Sequence, residues 1–527
     1  MRINRVYIQK YKSLKEFKII FNEYDSQIYK VPCRFLIGQN GSGKSIFLEA
    51  IGLIFTRIMQ DESPGFNYEI EYTVFVDGSY KTVRLSSKNK KKAYWIDNIP
   101  YNWDNEPFSQ KVDYHPEKII AQSTGPTNNL NEVLLKTPED SLISDIYDIT
   151  HVDADPENNS TIQSIIQKIE HLYEDPNCIY IDGETAILVI ITLCAFSRLT
   201  DNPSSNQEYC QKRKELFNII GQFLPISFSI TVTEKDILER VGSEKGSIER
   251  EFLKLLYTEE EIDSPILYDY KNISLNSDSQ TISENEEGSF CRTVTFRLTK
   301  DTTYNTFNYF HEKINNRTNP FAFLSSLLYA KRVGLLKNID MAFKMKNSGV
   351  ILNKNSFSDG EYLWLARLGL LLLGRYKDNI LYLFDEPDVH SNEAWNINFI
   401  HYINEFTCPS KVHSALHEVI VATHSTLLLT DADSDQIYHF ISKNGKISKT
   451  SQVSLSTFGA NRGEIDKQIF GTNSTIGTHS EKLIEQAFQL ADEKKDTSLL
   501  EKLGSKMGPG YHYFRIANRL LEIESKE

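Results

Sequence analysis

The sequence has no hydrophobic run long enough to cross a membrane. Its longest uncharged apolar stretch, Ala186–Phe196, has about eleven residues, whereas a spanning helix needs about 20. Arg2 and Arg5 lie near the start, but the apolar segment of a secretory signal does not follow them. These absences predict a cytoplasmic protein without a membrane segment.

Cysteine is scarce as well. The 527 residues include six cysteines, and no two of them form a C-x-x-C pair. This spacing disfavours zinc sites and indicates reduced thiols rather than disulfide bridges. His413 and His417 are four residues apart but have no matching third ligand. We therefore predict that both are exposed residues of a helix.

The sequence also lacks an excess of positive charge. It has 58 Lys and Arg residues against 71 Asp and Glu residues, a net charge of −13. Phosphate contacts need clustered cations, so this balance opposes nucleic-acid binding by the whole surface. A local candidate is the lysine-rich segment Lys88–Lys92, which precedes Tyr94 and Trp95. A solvated turn is the favoured interpretation of that segment.

Repeats and sustained heptads are absent, but strands and helices alternate at both ends of the chain. A large insertion is predicted between these ends, with helices near 161–172, 184–199, 206–222, 247–257 and 319–331 and a mobile loop at Asn272–Ser289. The tail from 478 onward is predicted to be helical. The predicted segments are 1–124 and 346–455 as two halves of one α/β core, 125–345 as the insertion and 456–527 as a helical C-terminal region that contacts a partner.

The strongest motif is Gly38–Ser45, which fits the pattern G-x-x-x-x-G-K-S. It follows an apolar strand, Cys33–Ile37, and opens a helix predicted over 44–59. In such loops the backbone N–H groups surround phosphates, and the helix start adds positive charge. Lys44 is expected to reach the β- and γ-phosphates, and Ser45 to contact Mg²⁺. The remaining candidate phosphate-binding residues are Gly38, Asn40, Gly41, Ser42 and Gly43.

A second half of this site is predicted far along the chain. The buried-strand run Leu381–Phe384 ends in Asp385 and Glu386. An Asp at the end of a central strand is placed to hold Mg²⁺. The adjacent Glu386 is then a candidate base that polarises the attacking water.

Two weaker motifs follow the same order along the chain. Phe357–Glu361 is predicted to start a helix, with Ser358 as its N-cap. Val419–Ala422 is a predicted strand that leads through Thr423 to His424. A lone histidine is more often a packing or surface residue, but its place after the other motifs makes His424 a candidate site residue.

This order of motifs resembles that of ABC-type ATPases, and more closely their SMC- and RecF-like branch. The resemblance implies an α/β fold: an ABC-type ATPase head, with a RecA-like parallel core plus an antiparallel sheet, a large mainly helical insertion and a helical C-terminal tail. It implies that Ser358, Asp359 and Gly360 form the signature loop, that Asp388 belongs to the D-loop, and that His424 contacts the γ-phosphate. It also implies ATP and Mg²⁺ as cofactors and a homodimer, or higher homo-oligomer, formed through the heads.

Weaker segments resemble the PtuA family of ATPases from Septu and retron anti-phage defence systems. These segments are Pro116–Gly125, Ser456–Ala460 and Asn473–Gly477. By this resemblance Gln122 is a Q-loop residue that contacts nucleotide and metal. The resemblance implies that the ATPase regulates an HNH-type nuclease. It also allows a retron reverse transcriptase, with its cDNA or RNA, as a further partner. A RecF- or SMC-like DNA-repair ATPase that binds DNA directly is the alternative.

Overall fold

The computed structural model describes the whole chain except residues 24–28, 60–61, 89–90, 102–113, 125–128, 137–176, 197, 234–278, 285–289, 299–318, 333–335, 410–415, 443–444, 454–455, 472–475, 495, 509 and 525–527. The described chain divides into two compact units, Met1–Phe458 and Gly459–Glu527. None of the helices in these described parts is long and apolar enough to span a membrane.

The first part of the chain forms strands around one long helix. Its elements are β1 Arg2–Tyr11, β2 Leu14–Ile20, β3 Cys33–Ile37, α1 Lys44–Met59, β4 Tyr68–Val76, β5 Ser79–Lys88, β6 Lys91–Ile96 and β7 Ile99–Tyr101. The predicted first three strands and the helix over 44–59 are confirmed. Strand β3 is buried along its whole length, as a strand inside a parallel sheet requires.

The middle of the chain contains β8 Lys118–Ser123, β9 Cys178–Ile181, α2 Ala186–Ala195, α3 Pro203–Ile220, β10 Phe223–Thr233, β11 Ser279–Glu284, β12 Phe290–Arg297, α4 Pro320–Arg332, β13 Leu336–Met345 and β14 Ile351–Leu352. A short helical segment at Asn129–Asn131 continues as a π-helical turn over Glu132–Lys136. The last part of the first unit contains α5 Asp359–Leu373, β15 Ile380–Asp385, α6 Glu393–Ile397, α7 Phe399–Thr407, β16 His417–Ala422, β17 Ile437–Phe440 and β18 Ile447–Gln452. The second unit contains α8 Arg462–Ile469, α9 Thr478–Lys494, α10 Ser498–Gly504 and α11 Tyr511–Glu524.

One large sheet organises the first unit. Its 13 strands run in the order β7-β6-β5-β4-β1-β2-β18-β17-β3-β16-β15-β8-β9. Each successive pair from β17 to β9 is parallel, and each successive pair from β7 to β2 is antiparallel. Strand β18 joins the two parts, since it pairs in parallel with β2 and antiparallel with β17. The predicted α/β class, with a parallel core joined to an antiparallel sheet, is confirmed.

The two faces of the parallel core pack against different helices. Leu381 and Leu383 of β15 belong to the same buried cluster as Phe47 and Ile51 of α1. On the opposite face, Arg367 of α5 lies over the ring of Phe384, with 5.6 Å between its guanidinium carbon and the ring centroid. Alternation of side chains along β15 therefore separates an α1 face from an α5 face.

The described part of the predicted insertion differs from a mainly helical one. Three predicted helices are present as α2, α3 and α4, but a five-stranded antiparallel sheet, in the order β11-β12-β10-β13-β14, stands beside them. Strand β11 lies inside the stretch predicted to be a mobile loop. The helices predicted near 161–172 and 247–257 lie outside the described residues. The domain boundaries at 124 and 345 stay predictions.

The interpretation of His417 as an exposed helical residue is wrong. This residue begins strand β16 and is only 2% exposed. Burial lowers the pKa of His417 to about 3. Its partner in the predicted pair, His413, lies outside the described residues.

Candidate nucleotide-binding site

The loop Gly38–Gly43 connects β3 to α1, and its backbone depends on glycine. Gly38 has φ +146°, and a Cβ there would lie 2.6 Å from the carbonyl oxygen of Phe440. Gly43 has φ +92°, and a Cβ there would lie 2.3 Å from Cδ1 of Ile447. Residues with a Cβ rarely adopt these φ values. Two glycines of the motif are therefore fixed both by conformation and by the strands that lie against the loop.

Lys44 directs its ammonium group back to this loop. Its Nζ donates to the carbonyl oxygen of Gly38 at 3.0 Å and lies 2.7 Å from Nε2 of His424. Burial lowers the pKa of Lys44 to about 8. The negative charges of Glu386, Asp385 and Asp388 oppose this shift. A mostly buried cation whose hydrogen-bond partners are neutral gains stability from a bound anion.

Ser45 and Asp385 join the loop to strand β15. The hydroxyl of Ser45 donates to Oδ1 of Asp385 at 2.9 Å, across a sequence separation of 340 residues. Burial raises the pKa of Asp385 to about 6, against the effect of the Ser45 hydrogen bond. Hydroxyl and carboxylate oxygens are the hard donors that Mg²⁺ prefers, so this pair fits a magnesium site.

Glu386 is turned away from the strand by a positive φ of +50°. Its N–H donates to the carbonyl oxygen of Ala422 at 2.8 Å. Its Oε1 then lies 3.9 Å from Nε2 of His424. Burial and the charge of Lys44 lower the pKa of His424, which favours a neutral imidazole between the carboxylate and the ammonium.

Asp388 is held by the residue before that histidine. The hydroxyl of Thr423 donates to Oδ1 of Asp388 at 2.5 Å, and the N–H of Ser425 donates to the Thr423 hydroxyl at 2.9 Å. Sequence reasoning did not select Thr423, although its position beside His424 is a signal that was available. The contact joins the loop after β15 to the end of β16.

The candidate signature loop starts α5. Ser358 and Glu361 form a reciprocal cap: the Ser358 hydroxyl accepts from the Glu361 N–H, and the Glu361 carboxylate accepts from the Ser358 N–H. A Cβ on Gly360 would lie 2.0 Å from the carbonyl oxygen of His390, so the start of α5 packs against the turn after Asp388. Ser358 and Asp359 are exposed, and the hydrogen bonds of Ser358 stay within its own cap.

The side chain of Gln122 does not lie with Ser45 and Asp385. Its side-chain Nε2 donates to the carbonyl oxygen of Leu363 at 3.0 Å, and its Oε1 accepts from Nε of Arg367 at 2.7 Å. Both partners belong to α5, on the face of the sheet away from Ser45 and Asp385. Its predicted contacts with nucleotide and metal stay predictions.

Sequence reasoning also missed Arg367. This residue is 1% exposed, and burial lowers the pKa of its guanidinium to about 9. Its guanidinium carbon lies 5.3 Å from the ring centroid of Trp364. A lone arginine within the leucine-rich run of α5 was the signal that could have identified it.

Comparison with known proteins gives a family match for the N-terminal part. A family model described as "AAA domain" matches residues 5–177, less than half of the chain but including the loop Gly38–Gly43. None of the curated proteins matches the chain. The N-terminal segment is therefore similar to AAA-type ATPase domains.

Among solved structures, the SMC head domain from Thermotoga maritima is 13% identical over 86% of this chain and 100% of that chain, with a TM-score of 0.35. A second similar structure is an SMC head bound to the C-winged helix domain of ScpA, at 13% identity, 86% and 98% coverage and a TM-score of 0.32. A third is the recombination mediator RecF with ATP, at 10% identity, 85% and 98% coverage and a TM-score of 0.29. Nothing about the activity of this chain follows from TM-scores this low.

Proposed function

We propose that this chain binds and hydrolyses ATP with Mg²⁺ as an ABC-type ATPase. The observation that carries the proposal is the Ser45–Asp385 hydrogen bond, because it joins the phosphate loop to an acidic strand end. When bound, Mg²⁺ neutralises charge on the β- and γ-phosphates. Ser45 and Asp385 are the side chains that would hold it.

The other side chains divide the remaining work. Lys44 supplies a cation to the phosphates, and its ammonium group lies beside Nε2 of His424. Glu386 orients the attacking water and accepts its proton, and its solvent-accessible carboxylate can pass that proton on. His424 lies between Lys44 and Glu386, where a γ-phosphate oxygen would find its imidazole as a hydrogen-bond partner.

Two copies of the chain complete the site in this proposal. Ser358 and Asp359 are exposed at a capped helix start, and the side-chain hydrogen bonds of Ser358 stay within that cap. We infer that they close over the nucleotide of a second copy, as the resemblance to ABC-type ATPases implies.

Nucleotide binding by Lys44→Ala tests the core of the proposal. Wild-type protein is expected to bind a fluorescent ATP analogue in the presence of Mg²⁺, and the variant is expected to lose this binding. Lys10→Ala, which removes an exposed lysine of β1, is the matched control. Equal affinity of Lys44→Ala and wild type would refute the phosphate-loop assignment.

We further propose that the ATPase regulates an HNH-type nuclease in anti-phage defence. The support is the resemblance of Pro116–Gly125, Ser456–Ala460 and Asn473–Gly477 to PtuA-family segments, together with the negative charge of the chain.

A native pulldown separates this role from direct DNA repair. Tagged Glu386→Gln, isolated with ATP and Mg²⁺ from its own cells, is expected to bring down an HNH nuclease, alone or with a reverse transcriptase and its cDNA or RNA. Recovery of DNA with repair factors and no nuclease would favour the RecF-like alternative. The Lys44→Ala variant is the control for association that does not depend on nucleotide.

A further inference from the structure

The last residues of β8 face opposite sides of the parallel core. Strand β8 pairs in parallel with β15, and Gln122 lies opposite Phe384 while Ser123 lies opposite Asp385. Residues paired in this way point to the same face, and successive residues alternate. Ser123 therefore shares a face with Asp385, and Gln122 shares a face with Phe384.

The packing of the neighbouring residues supports this division. Ile119 and Ala121, which alternate with Gln122 on β8, belong to the buried cluster that contains α1. Ser123 continues that series at the end of the strand where Ser45 of α1 meets Asp385. Neighbouring strands lie about 4.8 Å apart, so Ser123 is adjacent to the acidic side of the candidate magnesium site.

Gln122 is committed to the other face. Both ends of its amide hydrogen-bond to α5, one to the Leu363 carbonyl and one to Arg367. To reach the α1 face it would have to release Arg367, a guanidinium that is 1% exposed. Loss of a partner inside the protein is costly for such a group.

Two buried hydroxyls lie on the α1 face instead. Ser123 and Tyr180 of β9 are each 3% exposed, and neither hydroxyl has a hydrogen-bond partner of normal geometry among the described groups. Burial raises the pKa of Tyr180, and the charges of Asp182 and Asp385 raise it further. The Ser123 hydroxyl is close enough to Tyr180 to lower that pKa in part. Buried polar groups normally have partners, so these hydroxyls indicate a polar ligand beside Asp385.

We propose that Ser123, supported by Tyr180, is the β8 side chain that faces the nucleotide-bound magnesium and its water ligands, and that Gln122 instead ties β8 to α5 through Arg367. This inference rests on the proposed ATPase function and changes which residue senses the metal. The ligand class is a hydrated divalent cation bound together with a nucleoside triphosphate.

The test measures metal affinity separately from turnover. Mn²⁺ replaces Mg²⁺, a non-hydrolysable ATP analogue is present, and the Mn²⁺ concentration that half-saturates the complex is read by electron paramagnetic resonance. Ser123→Ala is expected to weaken Mn²⁺ binding about tenfold, as loss of a supporting polar group at a metal site does, while affinity for the analogue in EDTA is unchanged. Ser123→Thr, which keeps the hydroxyl, is expected to restore Mn²⁺ affinity.

Variants of Gln122 test the second part of the proposal, that this residue supports Arg367 and does not contact the metal. Gln122→Ala is expected to leave Mn²⁺ affinity within about twofold of wild type and to lower thermal stability, because Arg367 loses its acceptor. Gln122→Glu retains an acceptor for Arg367 and is informative even if the alanine variant does not fold. Weaker Mn²⁺ binding in Gln122→Ala, stronger binding in Gln122→Glu, or wild-type affinity in Ser123→Ala would each overturn the inference. Failure of wild-type protein to bind the analogue at all would instead count against the proposed ATPase function.

Discussion

Asp385 is a buried carboxyl whose ionisation lowers the stability of the folded chain. Burial raises its pKa from 3.8 to about 6, so between these pH values the folded chain binds a proton more strongly than the unfolded chain. The free energy of unfolding therefore falls as pH rises through this window, by as much as about 3 kcal/mol. A bound divalent cation offsets this cost because it stabilises the ionised carboxylate.

Asp385→Asn tests this linkage in protein free of nucleotide and metal. The variant is expected to be more stable than wild type at pH 7, and the difference is expected to disappear near pH 4. Urea unfolding at the two pH values measures it, with Asp201→Asn, an exposed carboxylate, as the control. Parallel pH profiles for wild type and Asp385→Asn would contradict the buried, proton-binding carboxyl.

The glycines of the loop Gly38–Gly43 give a second prediction at this scale. Gly43→Ala combines a strained φ with a Cβ placed 2.3 Å from Ile447, whereas Gly41→Ala has φ +74° and no atom within 4 Å of its Cβ. Gly41→Ala is expected to cost about 1 kcal/mol of unfolding free energy, and Gly43→Ala at least twice as much. Equal losses in urea unfolding would show that contact with Ile447 has no part in fixing the loop.

At the scale of elements, local sequence pattern predicted the strands and helices around the candidate site better than those of the insertion. Helix α1 was predictable because its apolar residues repeat with helical spacing after a glycine-rich loop. The strands β10, β12 and β13 pair across long stretches of chain, and such pairing leaves a weaker local signal. His417 shows the same limit: its spacing from His413 suggests a helix, but the residue pairs with Ile380 in the parallel core.

The site residues follow a related rule. Ser45 and Asp385 were predictable because each belongs to a motif whose physical role fixes its position. The choice between Gln122 and Ser123 was not, since it depends on the register of β8 against β15, and a shift of one residue reverses the face. Sequence composition at the end of β8 carries no information about that register.

The start of α5 carries a prediction of its own. Gly360→Ala places a Cβ against the His390 carbonyl oxygen, so either the helix start or the turn after Asp388 must move. Binding of ATP by the single chain is expected to change less than twofold, while ATP-dependent dimers of the Glu386→Gln form are lost. Ser358→Ala, which removes the cap at a cost of about 1 kcal/mol without a clash, is expected to reduce dimers less. Light scattering after gel filtration measures both, and undiminished dimers of Gly360→Ala would contradict the role of this contact.

At the scale of the whole molecule, contacts within one chain connect the candidate nucleotide site to the start of α5. Contacts within one chain link Gly360 to His390, Asp388 to Thr423, and His424 to Lys44. In the proposed function, a change at bound phosphates would thus reach the exposed residues Ser358 and Asp359 through contacts within one chain. If this candidate signature loop serves a second copy, the two sites of a dimer are coupled through both chains.

Mixing two inactive variants tests whether the site is composite. Lys44→Ala removes the phosphate contact and leaves Ser358 intact, whereas Ser358→Arg places a long cation at the signature and leaves Lys44 intact. Neither variant alone can form a complete site, but a mixed dimer contains one, built from Lys44 of one chain and Ser358 of the other. ATPase activity, absent from either variant, is therefore expected to reappear on mixing, at up to about half of the wild-type activity per mixed dimer because one of its two sites is complete. Activity of Ser358→Arg alone at the wild-type rate, or no recovery in a mixture shown by differential tags to contain mixed dimers, would contradict the composite site.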